Sequence, residues 1–360
     1  MKVLMFRRNA KQKPLTRLNI YYFSRMILVT GSTGLVGSHL LYSLVSNNEK
    51  VRAIYRSKRK LDQVKNVFAT YTSDYTTLFE SIEWVQADIL DIPALTEAFN
   101  GVTYVYHCAA FVSFEPDKYH LLRKTNIEGT ANIINFCISN NIKKLCHVSS
   151  IATLGKTLNN NPITEETVWN PEDDNNVYAI TKYGAEMEVW RGTQEGLNAV
   201  IINPGVILGA GIWSFGSGSL FKKAHKGLNY YTSGTIGLIA VKDVVTVMIR
   251  LMKSNIINER FVLVAENWTY KHFLQTLALS VKATPPKKLA GSFLLSLGWR
   301  LDWLNHQLTG KRRQLTKQLT TSLMSETNHN SQKLKTALNF NFKDIKETIF
   351  EIGDSYVKQD

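Results

Sequence analysis

Tyr178-Ala179-Ile180-Thr181-Lys182 sets a phenol and an amine four residues apart, the spacing that brings two side chains to one face of a helix. A tyrosine titrates at about 10 when unperturbed, so it exchanges a proton with a carbonyl or alcohol oxygen near neutrality only if a nearby positive charge favours the phenolate. Lys182 supplies a charge of that sign. A tyrosine and a lysine at this spacing alone also describe an ordinary surface pair. Two further features narrow the reading: Ser149-Ser150 at the end of an apolar run, and Thr30-Gly31-Ser32-Thr33-Gly34-Leu35-Val36-Gly37 about 150 residues upstream of the tyrosine. Three glycines at spacing three, after a strand and opening a helix, provide a tight turn, close backbone approach and helix amides aimed at a pyrophosphate.

These residues need elements to hold them. From Met26 the chain alternates apolar runs with helical patterns. Strands are expected at 26–29, 51–55, 82–86, 104–107, 144–149 and 199–203, with helices at 35–45, 92–99, 118–140 and 178–194. Such alternation implies crossover units and a parallel sheet covered on both faces. The fold class expected is therefore α/β, a Rossmann-type doubly wound parallel sheet over 26–204. A smaller, mainly substrate-binding domain is expected over 205–360, with one or more segments returning to the sheet. The glycine-rich stretch 205–218, Pro285-Pro286 and the apolar Trp-bearing segment 293–304 mark this second part. Ligands of open α/β sheets bind at the carboxyl edge of the strands.

The second strand ends Ala53-Ile54-Tyr55-Arg56-Ser57-Lys58-Arg59-Lys60, with no carboxylate before Asp62. An acid here suits the ribose hydroxyl of NAD, an arginine the 2′-phosphate of NADP. Arg56 thus points to NADP(H) as the preferred cofactor, with NAD(H) as the alternative. Lys58, Arg59 and Lys60 read as a solvated loop.

Composition sets the outer bounds. The 360 residues are 44% hydrophobic and 20% charged, with 43 Lys and Arg against 29 Asp and Glu, or +14. Seven of the positive charges lie in residues 1–25, which contain no acid. This leader suits an organelle transit peptide, but it reads better as an upstream extension ahead of a true start at Met26, outside the mature fold. Cys108, Cys137 and Cys146 are odd in number and widely spaced, as reduced thiols in a cytoplasmic protein are. No run is long enough to span a membrane, and no motif supports nucleic-acid binding.

His107, His120 and His147 lack metal-ligand spacing, so no metal is expected. Glu165, Glu166, Glu172, Asp173 and Asp174 read as a solvated acidic loop. Trp213, Phe215, Phe221, Tyr230 and Tyr231 suggest an aromatic-tolerant pocket or, equally, core packing. Lys311-Arg312-Arg313 and Lys317, beside the apolar segment 293–308, offer a contact for an anionic membrane surface, with ordinary solvation as the plainer reading.

The motifs occur in a recognisable order. Besides the glycine turn and the Tyr178–Lys182 pair, they are Ala87-Asp88-Ile89-Leu90-Asp91, His107-Cys108-Ala109-Ala110, Asn126-Ile127-Glu128-Gly129-Thr130, His147-Val148-Ser149-Ser150-Ile151 and Asn203-Pro204-Gly205-Val206-Ile207-Leu208-Gly209. In this the chain resembles the extended short-chain dehydrogenase/reductase family, also called the NAD-dependent epimerase/dehydratase family, over roughly residues 26–270. Among its branches the dihydroflavonol-reductase-like and 3β-hydroxysteroid-dehydrogenase-like forms are most similar. The resemblance implies that Gly31, Thr33, Gly34, Leu35 and Gly37 hold the pyrophosphate region and that Asp88 and Ile89 meet the adenine. Cys108, Ala109 and Ala110 would pass beneath the ribose and pyrophosphate, and Pro204, Val206 and Ile207 would flank the nicotinamide. It further implies Tyr178 as acid/base and Ser150 as the group orienting the substrate oxygen. Ser150 is preferred to Ser149 because five residues separate it from Gly155. Lys182 would lower the tyrosine pKa and hold the nicotinamide ribose. Asn126 would either support a proton relay or make a structural helix-to-sheet bond.

The expected activity is NADP(H)-dependent interconversion of a ketone or aldehyde and an alcohol in a small, moderately apolar molecule. A nucleotide-sugar epimerase or dehydratase with bound NAD+ is one alternative. A non-catalytic NADP(H)-binding sensor or scaffold for protein partners is another. A homodimer is compatible with all three.

Overall fold

Seven parallel strands form the central sheet in a computed structural model that describes residues 25–157, 161–311, 313 and 315–359. All but Arg25 of the basic leader lies outside the described residues. The strands are β1 (Met26–Thr30), β2 (Val51–Tyr55), β3 (Glu83–Gln86), β4 (Val102–His107), β5 (Lys144–Val148), β6 (Ala199–Pro204) and, after three strands elsewhere, β10 (Glu259–Leu263). Their order is β10-β6-β5-β4-β1-β2-β3. The strand order reverses between β1 and β4, the switch point at which such sheets bind ligands.

Alternation along β1 shows why the sheet is buried on both faces. Ile27 and Val29 join one apolar cluster with Leu40 and Leu44 of the helix Leu35–Ser46 and Met248 of the helix Val241–Lys253. Leu28 joins the opposite cluster with Ile133 of Gly129–Ser139 and Val189 of Val177–Gln194. Successive strand residues face opposite sides, so a doubly covered strand is apolar at every position.

The helix expected over 118–140 is interrupted. Tyr119–Leu122 is α-helical, Arg123–Glu128 is a π-helical turn, and α-helix resumes at Gly129. Beyond Pro204 the chain supplies β7 (Val206–Leu208), β8 (Tyr230–Tyr231), β9 (Thr235–Ala240), β11 (Glu266–Thr269) and β12 (Lys288–Leu289). A three-stranded sheet β11-β9-β7 and a two-stranded pair β12-β8 result. Leu208, Phe221, Leu238, Phe273 and Ile349 form a third apolar cluster here. Trp213 packs edge-on against Phe221 and Tyr356, so these two expected pocket aromatics belong to the core, whereas Phe215 and Tyr230 are exposed.

Candidate active site

The glycine turn leaves β1 at Gly31, whose φ of +64° is the left-handed conformation glycine tolerates best. A Cβ there would lie 2.5 Å from Ala109 N, so the turn rests directly on the segment after β4. A Cβ on Gly37 would overlap the Gly31 carbonyl. Gly34 differs: its Cβ would meet only the Gly31 carbonyl, at 3.3 Å, and otherwise enter open space. Gly34 is also the N-cap of Leu35–Ser46, and no side chain caps that helix. First-turn amides beside open space suit a diphosphate. The residues present therefore fit a dinucleotide.

Around this turn the strand ends converge. Ser32 Oγ donates to Ile54 O at 2.6 Å, tying the turn to β2. Thr30 Oγ1 lies 2.7 Å from His107 Nδ1, and His107 Nε2 lies 3.0 Å from Thr130 Oγ1, tying β1, β4 and the next helix together. Arg56, just beyond β2, is exposed and pairs with Asp88 beyond β3 at 3.6 Å. Lys58, Arg59 and Lys60 form an exposed single turn. Ile89 packs where a Cβ on Gly129 would sit.

Asn176 caps the helix Val177–Gln194, its Oδ1 accepting from Ala179 N at 2.9 Å, which places Tyr178 in the first turn and Lys182 one turn later. Tyr178 lies beside Ser150, and the ring of Phe114 meets it edge-on at 5.5 Å. Ser150 Oγ also accepts from Ala152 N at 3.1 Å. Ser149 turns away: its Oγ donates to Glu186 Oε2 at 2.5 Å. Lys182 is buried, and its Nζ donates to Val148 O at 2.9 Å.

Charge in this pocket is set by burial. Burial pushes Lys182 down to about 8, against the opposing pull of Glu186 and Cys108. Burial, then the Lys182 charge, holds His107 down to about 3 and His147 well below its ordinary value. Burial lifts Cys108 to about 12, leaving a neutral thiol. Tyr178 is raised by burial, with its Ser150 bond acting in the other direction.

Asn126 is buried and occupied. Its Oδ1 accepts from Phe111 N at 2.7 Å, while Nδ2 donates to Phe111 O at 3.0 Å and Thr181 Oγ1 at 3.2 Å. These bonds join the π-helical turn to the loop after β4 and to the helix Val177–Gln194. Pro204 is buried at the end of β6, and Val206 and Ile207 pair with Leu238 and Ile239 of β9.

Beneath Ser150 lies a network that the motif reading passed over. Glu186 is fully buried and accepts from Ser149, from Thr153 Oγ1 at 2.8 Å, from Asn203 Nδ2 at 2.8 Å, from Trp190 Nε1 at 3.4 Å and from Arg260 Nη1 at 3.1 Å. Asn203 Nδ2 also reaches Ser150 O at 3.2 Å. A buried carboxylate is tolerable only when so satisfied. Its signal was present in the sequence, since Tyr178, Lys182 and Glu186 repeat at four-residue spacing. Glu165 is a correction: it is buried, and its Oε1 accepts from Val262 N at 2.7 Å, while Glu166, Glu172 and Asp174 are exposed. That carboxylate satisfies a β10 amide facing away from β6.

The model of the NAD dependent epimerase/dehydratase family matches residues 27–263. The chain belongs to this family. Sterol demethylase protein B of Methylococcus capsulatus is 27% identical over 278 residues, 74% of this chain and 80% of that protein. Cinnamoyl-CoA reductase 1 of Petunia hybrida is 27% identical over 240 residues, covering 64% and 69%. The crystal structure of gox2253 superposes with a TM-score of 0.76 at 21% identity, covering 93% and 98%. Other relatives and solved structures of the same fold are UDP-sugar epimerases. The protein is thus an enzyme of a family containing NAD(P)-dependent reductases and epimerases. Among the described residues no helix is long and apolar enough to cross a membrane.

Proposed function

We propose that this enzyme is an NADP(H)-dependent oxidoreductase that interconverts a carbonyl and an alcohol in a small, moderately apolar molecule. The observation that carries the reading is the placement of Ser150 beside Tyr178 at the carboxyl edge of the sheet, with buried Lys182 one helical turn away and held by the Val148 carbonyl. Tyr178, kept protonated by burial, donates to the oxygen as negative charge develops there, and Ser150 orients that oxygen. Lys182 holds the nicotinamide ribose and stabilises the phenolate left behind. When bound, the cofactor supplies or accepts the hydride.

Gly31, Thr33, Gly34, Leu35 and Gly37 hold the diphosphate in this reading, and Asp88 and Ile89 meet the adenine. Cys108, Ala109 and Ala110 lie under the ribose, and Pro204, Val206 and Ile207 flank the nicotinamide. The residues after Pro204 supply most of the substrate wall. An apolar substrate is supported by relatives named for a sterol and a cinnamoyl thioester.

Arg56 favours this reading over an NAD+-retaining epimerase, because it provides an exposed guanidinium where NAD recognition calls for a carboxylate. Titration with NADPH and NADH tests it. NADPH should bind more tightly, and Arg56→Ala should weaken NADPH by about ten- to 150-fold while sparing NADH, since a charge-assisted phosphate contact is worth about 1.5–3 kcal/mol. Tighter NADH binding in the unaltered protein would remove the NADP assignment. Co-purifying NAD+ with no net cofactor oxidation would move the conclusion to the epimerase.

A further inference from the structure

The helix Ser292–Thr309 is an amphipathic helix facing the wrong way for a water-soluble surface. Phe293, Leu294, Leu297, Leu301, Leu304 and Leu308 are 42–82% exposed. At 100° per residue these six fall within about 100° of arc, one continuous stripe. Its opposite side carries Leu295, the helix's buried apolar residue, with Asp302 and His306 half-buried beside it. Asp302 Oδ2 accepts from Leu315 N at 3.2 Å, and Arg313 pairs with the same carboxylate at 3.7 Å. The polar side is therefore anchored to the protein and the apolar side is left to the surroundings.

The charge around the stripe has one sign. Residues 280–325 contain eight Lys and Arg against the single acid Asp302, and Asp302 is already paired. Lys287 and Lys288 are exposed immediately before the helix, and Lys311 and Lys317 are exposed after it. Leu289 on β12, 53% exposed, pairs with Tyr231 of β8, next to exposed Tyr230. Trp303, 47% exposed, flanks the stripe.

From this geometry we infer that the Ser292–Thr309 helix docks flat on a membrane surface bearing anionic headgroups. The leucine stripe enters the acyl boundary and the surrounding lysines meet the headgroups. An exposed apolar stripe with a cationic rim and a flanking tryptophan matches such an interface. A second copy of this chain would bring the same cationic rim against itself, which disfavours it as the occupant.

The test is co-sedimentation of the full chain with phosphatidylcholine vesicles, with and without phosphatidylserine. Binding should be about tenfold or more stronger with phosphatidylserine and should weaken with added salt. Phe293→Glu with Leu308→Glu should reduce it by about tenfold or more. Lys287→Glu with Lys288→Glu should reduce binding to the anionic vesicles alone. Far-UV circular dichroism and thermal melting establish that each variant is folded. Residues 1–25 are common to every variant, so differences report on the helix. Full chain left in the supernatant overturns the inference. So does equal binding of the Phe293/Leu308 variant, which would assign binding to the leader, or of the Lys287/Lys288 variant. A dimer that this Phe293/Leu308 variant splits with vesicle binding unaltered also overturns it, assigning the stripe to a second copy.

Discussion

Two regions of this molecule violate the usual burial rule in opposite directions. Beneath Ser150 a carboxylate, an asparagine, a lysine and two histidines are buried, whereas on the Ser292–Thr309 helix six Phe and Leu side chains face outward. The carboxylate, the lysine and His107 are met by partners that fix their geometry, whereas both ring nitrogens of His147 and the Asn203 Oδ1 have no hydrogen-bond partner among the described residues. Apolar exposure has no such internal compensation and points outside the chain. The contrast separates what the fold needs for its own site from what it presents to its surroundings.

Removing the central acceptor breaks the first region most severely. Glu186→Ala leaves the Arg260 guanidinium and four neutral donors facing a void and should lower unfolding free energy by about 3–5 kcal/mol. Glu186→Gln, which retains an acceptor oxygen, should lose less. Urea unfolding measures both, and a loss for Glu186→Ala within experimental error would show that the network is incidental.

Acid should weaken the fold through histidines in that region and elsewhere. Burial depresses His107 to about 3, His39 and His329 to about 4, and His147 well below its ordinary value. Below pH 6.5 the unfolded chain binds protons at these sites that the folded chain refuses, so stability falls as pH falls. Each histidine contributes up to about 1.4 kcal/mol per pH unit until its folded pKa is reached. Melting temperatures at pH 7.0 and 5.5 report the slope, and coincident curves would contradict it.

Lys182, depressed to about 8 by burial, is charged below that pH and neutral above it. If its charge is what the chemistry uses, kcat/KM should fall by about tenfold for each pH unit above about 8. A profile flat to pH 9.5 would remove Lys182 from the reaction. The exposed stripe should show the smallest effect on folding: Leu308→Gln should alter unfolding free energy in water by about 0.5 kcal/mol or less. A larger loss would mean that the stripe packs internally.

Much of the site was legible because its parts are local. The glycine turn, the strand ends and the Tyr178–Lys182 turn are short motifs whose spacing specifies their geometry. Glu186 shares the four-residue spacing of Tyr178 and Lys182, but its partnership with Arg260 joins a helix to a strand 74 residues later, and separation in sequence carries no periodic signal for that pairing. β9 and the helix Val241–Lys253 were not separated in the sequence because apolar residues run through their boundary at Ala240 without a breaker. Glu165 appeared solvated among four other acids, yet it alone reaches the β10 amide at Val262.

The central claim is that Tyr178 is the proton donor of an NADPH-dependent carbonyl reduction. Tyr178→Phe keeps the ring against Phe114 and removes only the hydroxyl. Measured together as NADPH oxidation with a carbonyl substrate and NADPH affinity, turnover should fall by about 10²–10⁴-fold while the dissociation constant stays within about twofold. Turnover equal to that of the unaltered enzyme would contradict the account.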